Sequence, residues 1–298
     1  MARVLLLTTA IACQPAAPPE VPTSASATAL AADIDTLASR PFNGRQAGTP
    51  GADSAADFIA RRYLHLGLRG AFQTESYLQF FRNDRGVYHN VGAIAEGLDS
   101  LRRHEYVLIG AHFDHLGRSP TWAMDRDAGF VLRPGADDNA SGTAAVLELA
   151  RRFAGRAAKR SILFVNFDAE EEGLIGSRAF LAMPPVPRTA MVFMLNLDMV
   201  GRLSGDRLFV ASHRMEPSVR AIFDSAANAS SIHPQFMRSD DRSDHATFED
   251  EGIAAAELST GYHADYHRAS DIPSRINIAG LARVVDVAEM VVRRIADR

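Results

Sequence analysis

YVLIGAHFDHLG, residues 106–117, decides the fold. Residues 106–111 are apolar without alternation, as in a strand buried on both faces of a parallel sheet. The run stops on His112, and Asp114 follows at the spacing that returns both side chains to one face. The pattern recurs along the chain. Ile162–Phe167 runs into Glu170 and Glu171, and MVFMLNLD (191–198) closes on Asp198. PGADDNASG (134–142) carries Asp138, and DYHRASDIP (265–273) carries His267. In open α/β sheets, side chains beyond the carboxyl ends of strands converge on one ligand-binding crevice. Acids and imidazoles placed there again and again mark an enzyme.

Outward from residues 106–117, Ala56, Ile59, Tyr63 and Leu66 recur at helical spacing, and Gly67 and Gly70 end that helix. Strands are expected at Tyr77–Phe81 and Val87–Ile94. Ser141 or Asn139 can cap a helix whose Val146, Leu149, Ala150 and Phe153 form its buried stripe. A helix is expected across EEGLIGSRAFLA (171–182), a strand near Leu208–Ala211, a helix near Ser218–Ala229 and a strand near Ile253–Leu258. A final helix carries Leu281, Val284, Ala288, Val291 and Ile295 on one side. Strands alternating with helices predict an α/β fold: a mixed, mostly parallel central sheet with helices on both faces.

A chain of 298 residues, 47% apolar and 8% aromatic, suffices for one large core, and a single catalytic domain is expected over 31–298. The net charge of −4 and the lack of a basic run with interleaved aromatics exclude nucleic acid as a partner. Residues 1–13, with Arg3, the apolar Val4–Ala12 and small residues before Cys13, have the layout of an export signal. The small residues resemble a bacterial lipoprotein processing site, after which Cys13 would carry the lipid; plain periplasmic or secreted export is the alternative. Cys13 is the sole cysteine, so no internal disulfide can form. Residues 14–30, rich in Pro, Ala and Ser, read as a tether, with order beginning near Ala31.

The chemistry follows from the residue types. Catalytic zinc takes nitrogen and oxygen ligands and keeps a position open, and two ions roughly 3.5 to 4 Å apart can share a carboxylate. Such a pair suits two imidazoles and three carboxylates. Asp114 is placed to accept the second ring N–H of His112. Of Asp137 and Asp138 only one is expected to face metal, since Asp137 and Asn139 suit a turn and helix start. Among Glu170, Glu171 and Glu172, one can ligate while a neighbour serves as general base, and Glu172 suits the first turn of the following helix. Asp198, ending an apolar run, needs a cation to offset its burial. His263 and His267 are not separable by spacing.

These blocks, in this order, resemble the di-zinc exopeptidases, a family that includes bacterial leucyl-type aminopeptidases, glutamate carboxypeptidases and zinc glutaminyl cyclases. The likeness runs from about Ala32 to the C-terminus and includes SRPFNGRQAGTPGADSAADFIARRYLHLGL (39–68). It implies two zinc ions per chain, with cobalt or manganese as substitutes: His112 and Asp198 on one, Glu171 and His267 on the other, Asp138 bridging. Glu170 would be the general acid/base, Asp114 the orienter of His112, and Asp138–Asn139 a cis peptide. The DYHRASD string favours His267, because the family's ligand precedes an aspartate by four residues, here Asp271. RSDHATF (242–248) looks like a substrate-pocket segment, so Asp244 and His245 are expected substrate contacts. No accessory domain fits between Tyr77 and Glu105.

The resemblance implies a metal-dependent aminopeptidase acting on a peptide or aminoacyl substrate. A carboxypeptidase, a glutaminyl-cyclase-like enzyme and a decayed binding relative are the alternatives; a carboxypeptidase would need a cation for the substrate carboxylate, and the sequence places none. G-x-S-x-G is absent, and His104-Glu105 leads to no second histidine, which excludes serine-hydrolase and gluzincin chemistry.

Overall fold

The computed structural model describes residues 24–298. The export segment and the first part of the tether lie outside them. The helices are α1 (Ser24–Leu37), α2 (Pro50–His65), α3 (Gly142–Ala154), α4 (Ile175–Ala182), α5 (Pro217–Ala229), α6 (His245–Asp250) and α7 (Ile278–Ala296). The strands are β1 (Arg69–Gly70), β2 (Leu78–Asn83), β3 (Gly86–Ala95), β4 (Tyr106–His112), β5 (Ser161–Phe167), β6 (Met191–Leu197), β7 (Arg207–Ala211), β8 (His233–Met237) and β9 (Ala255–Ser259). They form one sheet in the order β1-β3-β5-β4-β6-β9-β7-β8, with β2 also on β3. The central strands β5, β4, β6 and β9 run parallel, while β3 joins β5, and β7 joins β9, antiparallel.

β4 is buried on both faces, as its unbroken apolar run requires. Val107, Ile109 and Ala111 face the core shared with α1, α2, α3, α5 and α7, while Leu108 faces the core formed with Phe180 of α4 and Phe248 of α6. The sheet therefore has helices on both sides. Among the described residues, no helix is long and apolar enough to cross a membrane.

Three local expectations change. Helix α1 already covers Ser24–Leu37, ahead of Ala31, near which order was expected to begin. The stretch SASATALAAD is alanine-rich, which favours helix, and tertiary contacts hold it: Leu30 is buried, and Ser26 Oγ donates to Glu148 Oε1 on α3 at 2.5 Å. α4 starts at Ile175, because Gly173 and Leu174 take positive φ and turn the chain; Glu172 lies in that turn instead, accepting from Tyr88 Oη at 3.2 Å. β8 was not anticipated, because HPQFM contains Pro234 and alternates exposed with half-buried positions, as an edge strand tolerates.

Candidate metal centre

β4, β5 and β6 deliver their last residues to one edge of the sheet. Arg45 fixes this edge from below, with its guanidinium fully buried and four carbonyls accepting from it. Nε donates to Phe113 O at 2.6 Å, Nη1 to Leu37 O and Pro134 O at 2.7 Å each, and Nη2 to Gly135 O at 2.8 Å. The residue after His112 and the two that open the Asp138 loop are thus tied to a single side chain. Burial lowers Arg45 to about 10 against the pull of Asp138, Asp114, Asp271 and Glu171, so it stays charged at neutral pH.

The Asp138 loop is clamped from the other side by Asp271. Its Oδ2 accepts from the N–H of Asp137 at 2.9 Å and of Asp138 at 3.1 Å, and its Oδ1 accepts from Arg202 Nη2 at 3.1 Å. Gly135 takes φ +59, and a Cβ there would lie 2.1 Å from Asp138 O and 2.5 Å from the His115 ring. Only glycine fits. The Asp138–Asn139 peptide is cis. Asn139, not Ser141, closes the first turn of α3: its Oδ1 accepts from Gly142 N at 2.9 Å, while its Nδ2 donates to Leu197 O at 2.9 Å on β6.

On this frame His112, Asp138, Glu170, Glu171, Asp198 and His267 line one cavity of about 330 Å³. His112 Nε2 stands 3.5 Å from Asp138 Oδ1, 3.4 Å from Asp198 Oδ1 and 4.0 Å from Glu170 Oε2. His267 Nε2 stands 3.1 Å from both Asp138 Oδ2 and Glu171 Oε2. Both rings turn Nε2 inward while Nδ1 faces a carbonyl, Asp114 O at 3.2 Å and Trp122 O at 2.9 Å. A carbonyl takes a proton only on that nitrogen, which leaves the inward Nε2 free to ligate. The Asp138 carboxylate lies between the two imidazoles. His263, in contrast, faces Asp137 Oδ2 at 3.1 Å, so the structure brings His267 to the cluster and leaves His263 outside it.

Asp114 acts differently from the expected partner of the His112 ring. Its Oδ1 is 3.6 Å from His112 Nδ1, while its two oxygens accept from the N–H of Glu170 at 3.0 Å and Glu171 at 3.3 Å. It ties the end of β4 to the acidic turn after β5. Asp198 Oδ2 accepts from Ser243 Oγ at 2.7 Å, and that hydroxyl accepts from Asn196 Nδ2 at 2.7 Å.

His115 was quoted within the 106–117 run but assigned no role. It is buried, with Nδ1 2.8 Å from Glu171 Oε1, so two imidazoles bracket the Glu171 carboxylate. The signal was its place in the same block as His112, three residues on, where strand alternation gives no reason to expect both rings on one side.

Asp244 and His245 are corrections. Both side chains are fully buried and neither belongs to the cavity wall, which is formed at this point by their neighbour Ser243. The chain enters α6 here and tucks them beneath the floor, where His245 Nε2 is 2.7 Å from Ser239 Oγ. Burial pushes Asp244 up to about 7.

The charges ask for cations. Burial alone would lower His267, yet the facing carboxylates of Asp138 and Glu171, each 3.1 Å from its Nε2, push it up to about 11, and Glu170 and Asp198 likewise raise His112 against its burial. Burial, with Glu171, Asp198 and Asp244 around it, raises Glu170 against the pull of His112. Asp138 Oδ2 and Asp198 Oδ1 are buried without a hydrogen-bond partner among the described residues. Donor atoms of His112, Glu170 and Asp198 lie within 4.8 Å of one another, as do those of His115, Asp138 and Glu171. Two adjoining groups of nitrogen and oxygen donors rich in carboxylate fit divalent ions of the zinc type.

A family model described as "Peptidase family M28" matches residues 90–292. The alkaline phosphatase isozyme conversion protein of Escherichia coli (strain K12) is 30% identical over 175 residues, 57% of this chain and 50% of that protein. The chain spans about half the length of the first curated relatives it matches. A zinc aminopeptidase from Bacillus subtilis has a similar fold, with a TM-score of 0.75 at 18% identity, covering 94% of this chain and 97% of the other. Porphyromonas gingivalis glutaminyl cyclase also gives 0.75, at 19% identity, covering 90% and 98%.

Proposed function

We propose, on the premise that the chain belongs to peptidase family M28, that it is a two-zinc aminopeptidase cleaving the bond after the first residue of a peptide. One observation carries this most: the Asp138 carboxylate stands between two imidazoles whose Nε2 atoms both face it, with Asp198 beside one and Glu171 beside the other. His112 and Asp198 would hold one ion, Glu171 and His267 the second, with Asp138 shared; cobalt or manganese would suit the same donors. Bound divalent ions supply Lewis acidity and a more acidic water.

The chain's residues do the rest. Glu170 lines the cavity, and its raised affinity for a proton suits a base that takes one from the attacking water and returns it to the leaving amine. Asp114 holds the Glu170 and Glu171 N–H groups, fixing the base relative to the ligands. Arg45 and Asp271 fix the Asp138 loop. The same proposal keeps the protein exported, on the support of residues 1–13.

Chelator should abolish hydrolysis of aminoacyl anilides, with activity restored by added zinc. Glu170→Gln should keep the parent's zinc content and lose at least a hundredfold in kcat. Activity indifferent to chelation, or normal turnover by Glu170→Gln, would overturn the proposal. A second reading has its own support: Arg207, Arg238 and Arg242 line the cavity, supplying the cation a carboxypeptidase needs. Cleavage of N-blocked dipeptides in preference to free ones would favour it.

A further inference from the structure

The cavity extends beyond the metal ligands along β9, β7 and β8, on the face of the sheet opposite α5 and α7. Register places Met237, Ala211 and Glu257 side by side across these three strands, with Phe209 opposite Ser259 one row nearer the edge. Ala211 is small, so the row leaves a hollow between Met237 and Glu257, and all three residues line the cavity. Glu257 is not explained by the hydrolytic machinery. Its side chain is 16% exposed and makes no hydrogen bond with the described residues; His245 Nδ1 stands 3.6 Å away, on an imidazole that burial holds toward its neutral form. Arg207, Arg238 and Arg242 are exposed, and Arg242 Nε already faces Asp240 Oδ2 at 3.4 Å.

The hollow lies next to the chemistry, because the N–H of Asp198 donates to Leu258 O at 3.1 Å, one residue from Glu257. An acyl group presented to the ligands therefore has room for its side chain along Phe209 and Tyr262 toward Glu257. Apolar walls ending in an unpaired carboxylate match a long aliphatic stem with a cationic tip.

We propose that Glu257 is a specificity-determining residue that receives the basic side chain of an N-terminal arginine or lysine. The inference rests on the aminopeptidase reading. It concerns the side chain and not the α-amine, which must sit beside the ligands whatever the first residue is.

The test is the ratio of kcat/KM for arginyl and lysyl anilides to that for the leucyl anilide, measured on zinc-loaded protein. The parent should favour the basic substrates at least tenfold. Glu257→Gln should lower that ratio at least tenfold, mainly through KM for the basic substrates, with Glu257→Asp intermediate and with zinc content and melting temperature equal to the parent's. A flat ratio in the parent, an unchanged ratio in Glu257→Gln, or equal losses on basic and leucyl substrates would each overturn the assignment. If the parent hydrolyses the leucyl substrate while any of these holds, this inference alone fails. If it hydrolyses no aminoacyl substrate, the aminopeptidase proposal fails with it.

Discussion

Replacing Arg45 by Met should destabilise the protein and loosen its metal site together. Met fills similar volume without donors, so the carbonyls of Phe113, Leu37, Pro134 and Gly135 lose their partners inside the core. A hydrogen bond to a charged group contributes roughly 1.5 to 3 kcal/mol, which gives a gross loss of about 6 to 12 kcal/mol for four. Removing the buried charge offsets several kcal/mol of desolvation, leaving a net cost of about 3 to 5 kcal/mol. For a chain of this length, roughly 2 °C of melting temperature corresponds to 1 kcal/mol, so a fall of about 6 to 10 °C is expected. Calorimetry of the metal-free proteins measures it directly, and competition with a chelator should show weaker zinc retention, because the freed loops carry Asp138 and the residue after His112. Arg45→Lys should rescue little, since one ammonium cannot reach four carbonyls held in a fan. A melting temperature within 2 °C of the parent's, with unchanged zinc retention, would refute the idea that this guanidinium organises the site.

His115→Ala should weaken zinc retention by roughly 10- to 100-fold, the usual effect of removing a group that orients a ligand; equilibrium dialysis measures it, and parent-like retention would deny His115 a role in holding Glu171. Glu148 is buried between α1 and α3; burial would raise its pKa, but hydrogen bonds from Arg151, Ser26 and Arg152 hold it below its ordinary value of 4.5. A depressed carboxyl stabilises the fold above the unfolded-state value and loses that contribution as pH falls through the folded one. Glu148→Gln should therefore cost about 2 kcal/mol in urea denaturation of the metal-free protein at pH 7. The gap should close below pH 4.5; a gap independent of pH would contradict the charge-based account.

Much of the architecture was legible because burial on both faces leaves an unambiguous mark. β4, β5 and β6 read as unbroken apolar runs, and each was found within a residue or two of its place. Elements held by partners distant in sequence were harder to see. The start of α1 depends on Glu148 and β8 on pairing with β7, neither of which leaves a local pattern. In the site, residues ending apolar runs stood out, whereas Arg45, Ser243 and His115 looked like ordinary loop residues and Asp271 served only to single out His267. Their roles consist of contacts with segments far along the chain, which no local period encodes.

The order of strands and helices, the crossing of both sheet faces by helices, and the set of acids and imidazoles at strand ends were determined by the amino-acid sequence itself. They follow from hydrophobic periodicity and residue chemistry, both local properties. Tertiary structure alone decided that His115 joins His267 in bracketing Glu171, that Asp244 and His245 lie under the floor, and that Glu257 opens into the hollow beside Ala211. These depend on strand register and on buried hydrogen bonds between distant segments, where a shift of one residue turns a side chain from cavity to core.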